Sequence, residues 1–130
     1  MTETDLTKQF AGKVAIVTGG TQGLGEAVAR LLAARGAKAL VTCGRNAEKG
    51  EAVAASIRET GCEVKFVRAD LSRVEDCRKV VAAADEAFGT VDVLMNNAGG
   101  PAPRGRIEEL PMEGLDAALA VHVRGALAHI

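Results

Sequence analysis

The sequence has no tryptophan and no tyrosine, and its aromatic side chains are Phe10, Phe66 and Phe88 alone. Chemistry that needs a phenol is therefore excluded from these 130 residues. Serine is nearly as scarce, with Ser56 and Ser72 only, and no Gly-x-Ser-x-Gly is present, which removes the serine-hydrolase reading. Cys43, Cys62 and Cys77 are odd in number and widely spaced, with no Cys-x-x-Cys, so neither a zinc site nor a redox pair is indicated. They read as small apolar residues in a reducing compartment. No charge excess exists either: 16 basic residues face 17 acidic ones, and the net charge of -1 lacks the basic footprint of a nucleic-acid binder. No apolar run approaches the ~18 residues of a membrane span. The N-terminal stretch, polar and mixed in charge, has no apolar centre, so no secretory leader is read and a cytoplasmic location is expected. What is present is a globular composition, 48% hydrophobic and 25% charged. We read residues 1–130 as one small domain that buries roughly two-thirds of its unfolded surface.

Short apolar runs alternate with helical patterns along the chain. Val14, Ala15, Ile16 and Val17 form a buried-strand signal ending in a glycine turn. Leu24, Ala27, Val28, Leu31 and Leu32 then recur at helical spacing, and Gly36 stops that helix. A second strand is expected over 39–43, a second helix over 47–60 stopped by Gly61, and a third strand over 64–68. Ser72, Arg73, Val74 and Glu75 read as a capping box, with Ser72 the N-cap of a third helix that ends at Gly89. A fourth strand is expected over 91–95. After a loop at 99–111, one further helix is expected over 112–129. Alternating β and α units predict an α/β fold: a Rossmann-type, doubly wound parallel sheet with helices on both faces, cut off after about four strands.

The strongest chemical signal is Thr18-Gly19-Gly20-Thr21-Gln22-Gly23-Leu24-Gly25, placed where the first strand meets the first helix. Glycines let such a turn tighten and approach a pyrophosphate, while the helix N-terminus offers unpaired N–H groups. Arg45 lies near the end of the second strand, and no carboxylate precedes Glu48 there. An acidic residue in this region suits the ribose hydroxyls of NAD(H), whereas an arginine suits the 2′-phosphate of NADP(H). The expected cofactor is thus NADP(H) in preference to NAD(H). Asp70 and Leu71 follow the third strand, and Asn96, Asn97, Ala98 and Gly99 follow the fourth, all at the carboxyl ends where open α/β sheets bind ligands.

In this order and on these elements, the glycine turn, Asp70 and the Asn-Asn-Ala-Gly segment resemble the short-chain dehydrogenase/reductase family in its common NAD(P)-binding form. The resemblance runs over essentially the whole chain. It implies that Gly19, Thr21, Gln22, Gly23, Leu24 and Gly25 form the phosphate turn. Asp70, with Leu71 beside it, would lie at the adenine, and Asn97, Ala98 and Gly99 would line the nicotinamide-side ribose. In that family an arginine like Arg45 marks NADP use. A second basic residue often precedes the middle glycine, a position held here by Gln22.

The family moves hydride between a nicotinamide cofactor and a carbonyl or alcohol, using a Ser, a Tyr and a Lys that this sequence does not place in the family's pattern. The resemblance thus implies the N-terminal, cofactor-binding half of such an enzyme, inactive alone, with the catalytic half absent. Strand four would then be an apolar sheet edge, and the isolated chain is expected to be marginally stable or to self-associate, with a homo-oligomer open. His122 occupies the family's Asn position in Val121-His122-Val123-Arg124-Gly125 and reads either as part of a proton relay or as an ordinary helical histidine. With His129 seven residues on and no third ligand near, a metal site is not expected. Arg104 and Arg106 read as a solvated basic loop, with contact to an anionic substrate as the alternative. Two further readings stand beside the enzyme: a non-catalytic nucleotide-binding or oligomerisation module, and another Rossmann enzyme such as a methyltransferase, which Asn96 to Gly99 disfavour.

Overall fold

In a computed structural model, residues 5–99 and 106–130 are described. Four parallel strands form one sheet in the order β3-β2-β1-β4: β1 (Val14–Thr18), β2 (Ala39–Gly44), β3 (Glu63–Arg68) and β4 (Val93–Met95). Helices α1 (Gly23–Ala34), α2 (Ala47–Arg58) and α3 (Val74–Phe88) make the crossovers. This is the expected Rossmann-type arrangement.

Alternation along the strands divides the core in two. Ala15, Val17, Leu40, Val64 and Phe66 pack with Ala29 and Leu32 of α1 and with Ala54 and Ile57 of α2. Ile16, Val41, Cys43 and Val67 point the other way, onto Cys77, Val80 and Ala84 of α3. Every residue of β1 is buried, as a strand covered on both faces requires. β3 instead alternates exposed and buried residues, the pattern of a strand at the sheet's margin.

Several local readings change. β4 begins at Val93: Asp92 still donates its backbone N–H to the Val14 carbonyl at 2.8 Å, but it is its side-chain Oδ2 that accepts from the Val14 N–H, at 2.9 Å. α2 ends at Arg58, with Thr60 and Gly61 in the following turn. The capping-box reading fails. Arg73 is the N-cap of α3, and the Ser72 amide and hydroxyl both donate to Asp70 Oδ1, at 3.0 and 2.6 Å. Asp70 outcompetes the helix for Ser72 because a carboxylate two residues away closes an Asx turn. Leu24 and Leu31, though at helical spacing, are exposed. The last helix is interrupted: α4 (Met112–Leu119) passes into a π-helical stretch (Ala120–Gly125) and then α5 (Ala126–Ala128).

Candidate functional site

The carboxyl ends of β1, β2, β3 and β4 open into a cleft of about 950 Å³. Gly19, Thr21, Gln22, Gly23, Leu24, Arg45, Asp70, Leu71, Asn97, Ala98, Gly99 and His122 all line it. Gly25 lies just behind, as the third residue of α1. A cleft at the strands' carboxyl ends, where β1 separates β2 from β4, is where open α/β sheets take ligands.

The turn after β1 is shaped by close approach. A Cβ on Gly25 would run into the Gly19 carbonyl oxygen and come within 2.5 Å of Asn97 Nδ2. Only glycine lets α1 start that close to the strand end. Gly23 is different: its φ is +55° and a Cβ there would meet nothing within 4 Å. It turns the chain on the side facing open space, where a phosphate group needs room. Gln22 is the N-cap of α1, and its side chain makes no capping hydrogen bond. The first-turn N–H groups are thus left to an anion or to water. The glycine cradle accordingly fits a dinucleotide's pyrophosphate.

Thr18 joins the two halves of the site. Buried at the end of β1, its Oγ1 accepts from the Asn97 and Ala98 N–H groups, both at 3.0 Å, and faces the Met95 carbonyl at 3.4 Å. Asn97 Nδ2 reaches the Gly19 carbonyl at 3.5 Å. The glycine turn and the segment after β4 are therefore fixed to one another through the Thr18 hydroxyl and the Asn97 amide. The sequence reading used Thr18 only as part of the turn. The signal for its role is a polar residue closing a strand of apolar ones.

On the β2–β3 side, Asp70 accepts both Ser72 hydrogen bonds, and these, with Arg45 and Arg73 nearby, hold its carboxyl below the usual range. Arg45 sits at the lip, its carbonyl accepting from Arg68 Nε at 3.3 Å. Cys43 lies on the cleft floor, where burial pushes its thiol up to about 11.

A family model described as short chain dehydrogenase matches residues 13–130. The chain belongs to the short-chain dehydrogenase family. It is 41% identical over 122 residues to the (-)-isopiperitenol/(-)-carveol dehydrogenase of Mentha piperita, covering 93% of this chain and 45% of that protein. Among solved structures, L-sorbose reductase from Gluconobacter frateurii, complexed with NADPH and L-sorbose, superposes with a TM-score of 0.88 at 31% identity, over 95% of this chain and 46% of that one. A short-chain dehydrogenase/reductase from Burkholderia phymatum in complex with NAD gives 0.86 at 35% identity, over 93% and 42%. The chain thus spans about half the length of the relatives it matches.

The π-helical stretch brings His122 over the far end of the cleft. A Cβ on Gly99 would collide with the His122 ring, so the two are in direct contact. No hydrogen bond from His122 is seen among the described residues, and its side chain is exposed. Gly125, four residues before His129, packs against the Leu71 carbonyl that follows β3, where a Cβ would stand 2.5 Å from that oxygen. Arg106 is exposed, and Arg104 lies outside the described residues. No group of three His, Cys, Asp or Glu suited to a metal occurs among the described residues. No helix among them is long and apolar enough to cross a membrane.

Proposed function

We propose that this chain is the NADP(H)-binding half of an oxidoreductase that moves hydride between a nicotinamide cofactor and a carbonyl or alcohol substrate. The observation that carries the reading is Arg45 at the lip of the cleft, opposite the glycine cradle, with no carboxylate at the end of β2. A guanidinium there meets a 2′-phosphate, whereas ribose hydroxyls would call for an acceptor. When bound, the nicotinamide group supplies the hydride chemistry. The chain's own residues do the holding. Gly19, Thr21, Gln22, Gly23, Leu24 and Gly25 form the pyrophosphate turn. Asp70 and Leu71 flank the adenine, and Asn97, Ala98 and Gly99 face the nicotinamide-side ribose.

The acid–base groups of the reaction are not among these residues: the 130-residue chain has no tyrosine, so a phenolic proton donor must come from outside it. On this reading the 130 residues form a single binding domain, work in the cytoplasm without nucleic-acid or membrane partners, and do not turn over substrate alone. The NADPH bound to the sorbose reductase supports the choice of cofactor, and the NAD bound to the Burkholderia phymatum protein makes it worth testing. Isothermal titration of NADP+ and NAD+ decides. NADP+ should bind at least tenfold more tightly, about 1.4 kcal/mol, and Arg45→Ala should sharply reduce that preference while sparing NAD+. Equal affinities in the wild-type protein, or a preference untouched by Arg45→Ala, would refute it.

A further inference from the structure

A phosphate dianion is poorly served by one cation, and the turn position that could provide a second is Gln22. The structure shows what stands there instead. Lys49, in the first turn of α2, donates from Nζ to Gln22 Oε1 at 2.5 Å, across 27 residues of sequence. Gln22 lines the cleft and Lys49 does not, so this bond sets the ammonium group against a lining residue, just outside the lining itself. Arg45 lines the same lip and lies one residue before the α2 N-cap, Asn46, whose Oδ1 accepts from the Lys49 amide at 3.0 Å. One cap thus sets the starting points of both side chains.

Neither cation is held in a close ion pair. Among the described residues the ion pairs within 4 Å are Arg30 with Glu26 and Arg58 with Glu51, and neither involves Arg45 or Lys49. Of the other basic groups nearby, Arg68 is engaged with the Arg45 carbonyl through Nε, and Arg73 lies by Asp70. Arg45 thus stands at the lip with Asp70 near enough to feel its charge, and Lys49 meets Gln22 on the glycine-turn side, neither held in an ion pair within 4 Å among the described residues. A neutral amide is a weak partner for an ammonium group compared with a phosphate oxygen.

Building on the NADP(H) reading, we propose that Lys49 is the second cation for the 2′-phosphate, kept in place by Gln22 until the nucleotide arrives. Gln22 is then a positioning residue: its amide replaces a basic side chain by borrowing one from α2. The arrangement acts on cofactor preference from the β2 side of the turn, away from the nicotinamide end.

The test uses two nucleotide fragments, adenosine 2′,5′-bisphosphate and 5′-AMP, which differ by the phosphate in question, titrated by calorimetry into the wild type, Lys49→Met, Lys49→Arg and Arg45→Ala. Lys49→Met should weaken the bisphosphate roughly tenfold, as expected for a lost charge-assisted hydrogen bond, and leave 5′-AMP within about twofold. Lys49→Arg should keep most of the discrimination. Added salt should weaken the bisphosphate less in Lys49→Met than in the wild type. If Lys49→Met weakens both fragments equally, the residue only supports the loop and the inference is overturned. The same holds if it weakens neither while Arg45→Ala still removes discrimination, and the NADP(H) reading then survives. If the wild type does not discriminate between the fragments, that reading and the inference fall together.

Discussion

Replacing Gly25 by alanine sets two physical effects against each other. A glycine-to-alanine change inside a helix ordinarily stabilises by up to about 1 kcal/mol, through lost freedom in the unfolded chain. Here the new Cβ would meet three atoms closer than real Cβ contacts allow: the Gly19 carbonyl oxygen, Asn97 Nδ2 at 2.5 Å and the Gly19 carbonyl carbon at 2.8 Å. The amide of Asn97 can swing away, but the Gly19 carbonyl is backbone in a turn tied to β2 through the Gly19 N–H to Cys43 carbonyl bond of 3.1 Å. Overpacking of this kind costs ~1–3 kcal/mol. The net expectation is a loss of roughly 1–2 kcal/mol, or a melting temperature lower by about 3–10 °C for a domain of this size. Because relief can come only by pushing α1 off the strand end, NADP+ affinity should drop together with stability. Circular dichroism melts and calorimetric titration on the same sample read both. Adding Asn97→Ala should not restore either, since it clears one obstacle of two. A Gly25→Ala variant that melts and binds like the wild type, or one rescued by Asn97→Ala, would refute the reasoning.

Three further outcomes are expected. Thr18→Val should cost about 1–3 kcal/mol, because the Ala98 N–H loses its acceptor while Asn97 keeps the Met95 carbonyl; Thr18→Ser should recover most of it in a urea unfolding series. His129 is buried, with Nδ1 against the Gly125 carbonyl at 2.7 Å and Nε2 without a hydrogen-bond partner, and burial lowers its pKa from the ordinary 6.5. Its neutral form is the folded form. Its contribution to stability is therefore complete above pH ~6.5 and is lost as the pH falls through the depressed folded value; His129→Leu should flatten the urea midpoint between pH 7 and 5, and an unchanged slope would contradict the assignment. All three cysteines are buried and burial raises each thiol, Cys43 to about 11, so iodoacetamide at pH 8 should label the unfolded protein and leave the native one unmodified.

Much of the fold was legible in the sequence because its strands are short buried runs and its helices stop at glycines. The positions of Gly36, Gly61 and Gly89 mark the ends of three βα units, and the structure gives all three a positive φ. What was not legible depends on which partner a polar group prefers. Ser72 has the right spacing for an N-cap, yet Asp70 takes both its donors. Asp92 sits in an apolar run and reads as strand, yet β4 starts after it: its N–H bonds to the Val14 carbonyl while the Val14 amide is taken by its carboxylate. The residues of the cleft were found in sequence because their motifs are local to strand ends. Lys49 was not, since its bond to Gln22 joins two elements through side chains alone. The π-helical turn that brings His122 against Gly99 was also missed, because one residue more per turn leaves the apolar periodicity of a short helix nearly unchanged.

The cleft at the strand ends is the proposed nucleotide site. The most direct test is amide chemical-shift mapping of the isotope-labelled protein during an NADP+ titration. We expect the largest saturating shifts at Gly23, Leu24, Gly25, Arg45, Asp70 and Ala98, with small changes at residues such as Arg78, Val91 and His129, which line a separate cleft of about 440 Å³. Shifts concentrated around Arg78 and His129, or none at the glycine turn under saturation, would contradict it.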